Sequence, residues 1–143
     1  MILISHRGNL NGKKVDEENS PKYIEKALKE GFNVEIDVWH INNNFYLGHD
    51  KPEFLVEKEF LEDKRLWCHA KNLSALLNLS KINSIFFWHQ EDDYTLTSNG
   101  FIWTYPGKKL TRNSICVLPE INNINFLNCY GVCSDYIIRY KNL

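Results

Sequence analysis

The sequence predicts an α/β fold in which parallel strands are joined by right-handed crossovers, in the manner of a shortened (β/α) barrel with helices reduced or missing in its C-terminal half. Three observations point there. The front half alternates strand-like and helix-like segments, and alternation of that kind produces parallel strands. In the back half the intervals 105–114 and 119–131 carry Pro, Gly and Asn and leave no room for full helices. The chain has 143 residues, whereas an intact barrel of this kind runs to about 250. Residues 1–143 therefore read as one domain, long enough to bury a core.

Each element has a local reason. Ile2 to Ser5 is a short apolar strand, followed by "HRGN" and a polar stretch to Asn19. In "SPKYIEKALKEG" Ser20 can cap a helix and Pro21 suits its first position. Ile24, Ala27 and Leu28 share a face, and Gly31 can end the helix. Phe32 to Trp39 is the second strand, and "INNNFYLGHD" reads as a turn leading into a short strand that stops at Gly48. Pro52 to Asp63 is expected to form a helix with Phe54, Leu55, Phe60 and Leu61 as its apolar residues. Further strands fit Leu66 to Ala70, Ile82 to Trp88, Phe101 to Thr104, Ile115 to Leu118 and Val132 to Ser134, with a short helix over Leu73 to Leu79.

Composition removes several classes of function. Hydrophobic residues make up 43% and charged residues 24%, with a formal net charge of -1, the balance of a globular protein. No dense Lys/Arg block provides a footprint for nucleic acid or an anionic membrane, so neither is an expected partner. No apolar run approaches a membrane span, and "MILISHRG" lacks the features of a signal peptide, so a cytoplasmic protein is expected. Cys68 and Cys116 sit in apolar strand patterns as core residues. Nothing in the sequence fixes an oligomeric state.

Reactive side chains collect at strand ends. His6 and Arg7 follow the first strand, Glu35 and Asp37 lie in the second, and His49 and Asp50 follow the hairpin. His69 and Lys71 lie at the next strand and His89 at the one after. In parallel α/β architectures the carboxyl ends of the strands share a face, and active sites collect there. His40 is offset by an odd number of residues from Asp37 and is expected to face away. Taken singly, a strand-end His is ordinarily just hydrogen-bonded or half-exposed, and Glu35 with Asp37 would suit the wet face of an edge strand. In "VEIDVW", however, the two acids share one face while Val34, Ile36 and Val38 occupy the other. Inside a barrel two adjacent carboxylates are costly, and a bound cation would remove that cost. Trp88, Trp103 and Tyr105 are candidates for an apolar wall or for core.

"HRGN" at 6–9, "ENSP" at 18–21, "VEIDVW" at 34–39 and "GHD" at 48–50 resemble, in order and spacing, the signature of the glycerophosphodiester phosphodiesterase family. "GVCSDY" at 131–136 is similar to the last-strand segment of that family. The resemblance implies a TIM-like barrel that splits a small glycerophosphodiester-type substrate into a phosphomonoester and an alcohol with help from one divalent cation. It further implies that Glu35 and Asp37 are metal ligands and that His6 and His49 form the catalytic pair, with His6 as base and His49 as acid. Arg7 and Lys71 would bind the phosphate, with Glu18, Asp50 and His89 in supporting positions. Hard carboxylate oxygens suit Mg²⁺ or Ca²⁺. The chain departs from the family at "HAK", where His69 stands in place of a carboxylate. An imidazole there can still ligate, and it shifts the preference towards Mn²⁺ or Zn²⁺. Two other expectations stand beside hydrolysis: a degenerate module that binds metal and phosphate without turnover, and a lyase that releases a cyclic phosphate.

Overall fold

The computed structural model describes residues 1–122 and 128–143. Its strands are β1 (Ile2–His6), β2 (Asn33–Ile41), β3 (Asn44–Leu47), β4 (Phe54–Val56), β5 (Leu66–Ala70), β6 (Ile85–Trp88), β7 (Tyr94–Leu96), β8 (Ile102–Thr104), β9 (Ser114–Val117) and β10 (Gly131–Ser134). The helices α1 (Pro21–Lys29), α2 (Lys58–Leu61) and α3 (Leu73–Leu79) are short, and with the 3-10 turns Pro119–Ile121 and Ile137–Tyr140 they make up only about 20% of the described residues.

All ten strands belong to one sheet. β6, β5, β2, β1, β10, β9 and β8 lie side by side and parallel. β3 pairs antiparallel with the far end of β2, β4 with β3, and β7 with β8. This corrects the expectation of a shortened TIM-like (β/α) barrel: the chain forms a curled mixed sheet, a half-barrel, without the flanking helices of that fold. Two local reasons are visible. The segment Pro52 to Asp63, expected to be helical, opens as β4, with Phe54 paired to Leu47, and supplies a helix only over Lys58–Leu61. The acidic turn before Tyr94 gives way to β7, an antiparallel strand where a crossover helix would otherwise run.

The two faces of the sheet differ. On the convex face Val34, Ile36 and Val38 of β2 and Leu66, Cys68 and Ala70 of β5 pack against Ile24 and Ala27 of α1 and Ala75 and Leu79 of α3. α1 forms where the sequence places it: the Ser20 side chain accepts from the Tyr23 amide, and Pro21 takes the first helical position. On the concave face Ile4, Trp67, Ile85, Phe87, Trp103, Ile115, Val117 and Cys133 make a second cluster, with the rings of Phe87 and Trp103 stacked at 4.5 Å. Trp103 is thus core, while Tyr105 is partly exposed and stacks on His89 at 6.0 Å. Among the described residues no helix is long and apolar enough to cross a membrane.

Candidate active site and metal centre

The parallel register builds the site on the concave face, above the apolar cluster. His6 of β1 sits beside Glu35 of β2, and Asp37 of β2 sits beside His69 of β5. Strand alternation turns these side chains the same way. The ends of β1 and β10 bring in Asp135, whose Oδ1 lies 2.7 Å from His6 Nδ1. A carboxylate oxygen accepts, so Nδ1 carries the proton and Nε2 faces inward, 3.8 Å from Glu35 Oε2. Burial opposes protonation of His6, but Asp135 and Glu35 outweigh it and raise its pKa.

The "HRGN" turn folds tightly. Arg7 and Gly8 both have positive φ, 57° and 92°, and the Asn9 amide closes the turn on the His6 carbonyl at 2.9 Å. A side chain at position 8 would be strained by that φ and would meet the Tyr23 ring at 2.7 Å, so glycine is required. The turn aims Arg7 across the site: Nη1 reaches Glu18 Oε2 at 3.3 Å, Nε lies 3.1 Å from Asp37 Oδ2, and Nη2 lies 3.5 Å from His49 Nε2. The Nε contact is an ion pair without hydrogen-bond alignment. Asn9 donates to Glu18 at 2.8 Å and to Asp135 at 2.9 Å, tying the two acids together. Asn19 clamps Asp37 from both ends, donating to its Oδ2 and accepting from its backbone amide, each at 2.9 Å.

His49 Nδ1 lies 3.4 Å from Asp37 Oδ2, and Lys71 Nζ lies 3.9 Å from Asp37 Oδ1. Burial alone would push the Asp37 carboxyl up, but contacts with His49, His69 and Arg7 hold it well below the usual carboxylate range. His69 Nδ1 is 3.2 Å from Asp37 Oδ1 and 3.7 Å from Glu35 Oε1, while its Nε2 donates to the His89 carbonyl at 2.8 Å. Burial opposes its protonation as well, yet the two acids raise its pKa to about 9.

The structure thus gathers His6, Arg7, Glu18, Glu35, Asp37, His49, His69 and Lys71 into one contact network. It does not bring in every expected residue. Asp50 is exposed at the rim, 3.7 Å from His49 Nε2, and is no buried ligand. His89 contributes its carbonyl, while its imidazole turns to the carbonyl of Asp92 at 2.8 Å. His40 faces outward, bonded to Ser74 of α3 at 2.7 Å. Asn9, Asn19 and Asp135 are working members of the site that sequence reasoning left without a role. All three lie inside the motifs "HRGN", "ENSP" and "GVCSDY", and that membership is the signal in the sequence.

Charge shows what the site lacks. Glu18, Glu35, Asp37 and Asp135 are all buried, and among the described residues the cations in contact with them are the largely buried Arg7 and Lys71 and the exposed Lys13, which lies 3.9 Å from Asp135. The interior keeps an excess of acids over buried cations, which a divalent cation or protonated imidazoles would offset, and His6 and His69 both have raised pKa values. Glu35 Oε2 and Asp37 Oδ1 are buried without a hydrogen-bond partner. Glu35, Asp37 and His69 offer three ligand atoms within 4.8 Å of one another. These residues fit a divalent ion. Beside them a polar cavity of about 260 Å³ is lined by Arg7, Lys13, Glu18, Asn19, His49 and Lys51 among others. A larger depression of about 700 Å³ runs along the outer side of α1 and holds none of the reactive groups.

No family model matches the chain, and searches of curated proteins and of solved structures return no match either.

Proposed function

We propose that the protein is a metal-dependent phosphoric diester hydrolase acting on a small, water-soluble glycerophosphodiester-type substrate in the cytoplasm. The observation that carries this reading is the pairing of imidazoles and acids around one arginine. His6 reaches Glu35 at 3.8 Å, His49 reaches Asp37 at 3.4 Å, and Arg7 touches both Asp37 and His49. The motif resemblance supports the same chemistry. A cavity of about 260 Å³ favours a compact substrate over a lipid with acyl chains.

Arg7 and Lys71 would hold the non-bridging phosphate oxygens, and the divalent ion held by Glu35, Asp37 and His69 would supply Lewis-acid stabilisation of the developing charge. His6 is the base. Asp135 fixes its ring with Nε2 facing the site, and the raised pKa makes it a stronger base than a free imidazole. His49, at 41% side-chain exposure on the cavity wall, is the acid that gives its proton to the leaving alkoxide oxygen, which departs towards solvent as the alcohol. If the substrate's own hydroxyl attacks, the first product is a cyclic phosphate, and hydrolysis is then a second step.

Phosphorus NMR of glycerophosphocholine, glycerophosphoethanolamine and an aryl phosphodiester, each with Mg²⁺, Mn²⁺, Zn²⁺ or Ca²⁺, tests the proposal and separates monoester from cyclic products. Wild-type protein should turn over at least one substrate, and His6→Ala and His49→Ala should each lose about 10²- to 10⁴-fold. Equal inactivity of all three proteins on every substrate and ion would favour a binding module that lacks turnover.

A further inference from the structure

We propose that His69 is a nitrogen ligand of the metal centre and that the centre prefers a borderline transition ion, of the Mn²⁺, Co²⁺ or Zn²⁺ kind, over Mg²⁺ and Ca²⁺. The inference deepens the reading above and rests on its metal centre, not on turnover.

The tautomer follows from the hydrogen bonds. A backbone carbonyl can only accept, so His69 Nε2, 2.8 Å from the His89 carbonyl, must carry a proton. In the neutral ring the lone pair is then on Nδ1, the atom nearest the two acids. Histidines that bind metals ordinarily donate their other ring N–H to a carbonyl or carboxylate in this way, which fixes the ring and raises ligand basicity. The ring is also fixed by stacking on Phe87, at 5.2 Å between centroids and 12° between planes.

The acids are arranged to share an ion with that nitrogen. Asp37 Oδ1 lies 3.2 Å from His69 Nδ1, yet it is buried and makes no aligned hydrogen bond. With the ring neutral, Nδ1 and Oδ1 both present lone pairs at that distance, a juxtaposition that a shared cation would stabilise. Glu35 turns Oε1 to His69 Nδ1 at 3.7 Å, its Oε2, 3.8 Å from His6 Nε2, is buried without a hydrogen-bond partner among the described residues, and Glu35 and Asp37 are 2% and 0% exposed. Leaving such oxygens unmet in a dry interior is unfavourable.

Ligand chemistry then selects the ion. Mg²⁺ and Ca²⁺ are hard ions that favour oxygen ligands, and Ca²⁺ takes six to eight of them. One imidazole and two carboxylates supply fewer oxygens and a softer donor, which suits first-row transition ions. The rim does not make up the deficit, because Asp50 is 94% exposed at its side chain and pairs with His49 rather than with the buried acids.

Isothermal titration calorimetry of the metal-stripped chain, without substrate, should show Mn²⁺ or Co²⁺ binding at least about tenfold tighter than Mg²⁺ or Ca²⁺, and His69→Glu, with a hard oxygen donor in place of the imidazole, should bring that ratio down towards one. Pulsed electron paramagnetic resonance of the Mn²⁺-loaded wild type should resolve one imidazole nitrogen coupling, absent in His69→Glu and His69→Gln. The wild-type spectrum decides the matter even where a variant fails to fold. The proposal is overturned by Mg²⁺ or Ca²⁺ binding as tightly as Mn²⁺, by a wild-type spectrum without nitrogen coupling, or by no ion binding at all. Because no arm contains substrate, loss of the phosphodiesterase reading would leave these results unchanged.

Discussion

The two faces of β2 are equally buried and make opposite demands. Val34, Ile36 and Val38 point to the helices at 0% exposure, while Glu35 and Asp37 point to the concave side at 2% and 0%. The apolar face is stabilised by removal from water and needs only a surface to pack against, which α1 and α3 provide. The acidic face is buried against the preference of its charges. Its existence depends on Arg7, Lys71, Asn19 and the imidazoles around it. One strand therefore carries stability on one side and chemistry on the other.

The largest expected effect breaks the acidic side alone. Asp37→Asn keeps the shape but removes a metal ligand and the charge that orients Arg7 and His49, so phosphodiester turnover should fall on the order of 100-fold or more. Some stability should be lost with it, because Arg7 keeps one buried partner fewer, but the removed desolvation penalty of Asp37 offsets part of that loss and the chain should still fold. On the apolar side Ile36→Ala should do the reverse. Chemical denaturation should show a loss of about 2–5 kcal/mol, with turnover per folded molecule unchanged. If Asp37→Asn unfolded the chain, or Ile36→Ala abolished turnover in the folded fraction, the division between the faces would fail. A smaller effect tests the link between them. Asn19→Ala leaves the Asp37 amide and Oδ2 without their partner, which should cost about 1–3 kcal/mol in denaturation. It should also weaken Mn²⁺ binding by calorimetry, because Asp37 loses its clamp.

How much of this was legible follows from the range of each signal. β5 and α3 match their expected limits, Leu66–Ala70 and Leu73–Leu79, because strand alternation and the Asn72 cap are local. β4 was misread because Phe54, Leu55, Phe60 and Leu61 are spaced like a helix face. Its pairing with β3 decides its conformation, and that is tertiary information. The half-barrel itself has no local signature. The same holds in the site. Glu35, Asp37 and His69 follow from alternation on adjacent strands, but the bond from His6 to Asp135 spans 129 positions and exists only because β10 pairs with β1. Sequence pattern places Asp135 at a strand end and cannot name its partner.

The smallest expected effect lies in the pH dependence of the metal-free protein, and it too separates the faces. His69 has its pKa raised in the folded state to about 9, from an ordinary value near 6.5. Its contribution is therefore complete below about pH 6.5, declines above that, and is lost as pH rises through about 9. His6, also raised, adds to the same alkaline decline. Asp37 and Asp135 are lowered, so their contributions are present above the ordinary carboxylate range and are lost as pH falls through their depressed values. Stability measured in a chelator should thus form a plateau with both edges set by the acidic face. A single proton changes it by at most about 1.4 kcal/mol per pH unit. His69→Gln should shrink the alkaline edge to the part that His6 supplies and move the acid edge upward, because His69 also helps to hold the Asp37 carboxyl down, while Ile36→Ala should lower the whole curve without moving either edge. An alkaline edge unchanged in His69→Gln would show that Glu35 and Asp37 do not hold the ring protonated, and the charge balance proposed for the metal-free site would fall with it.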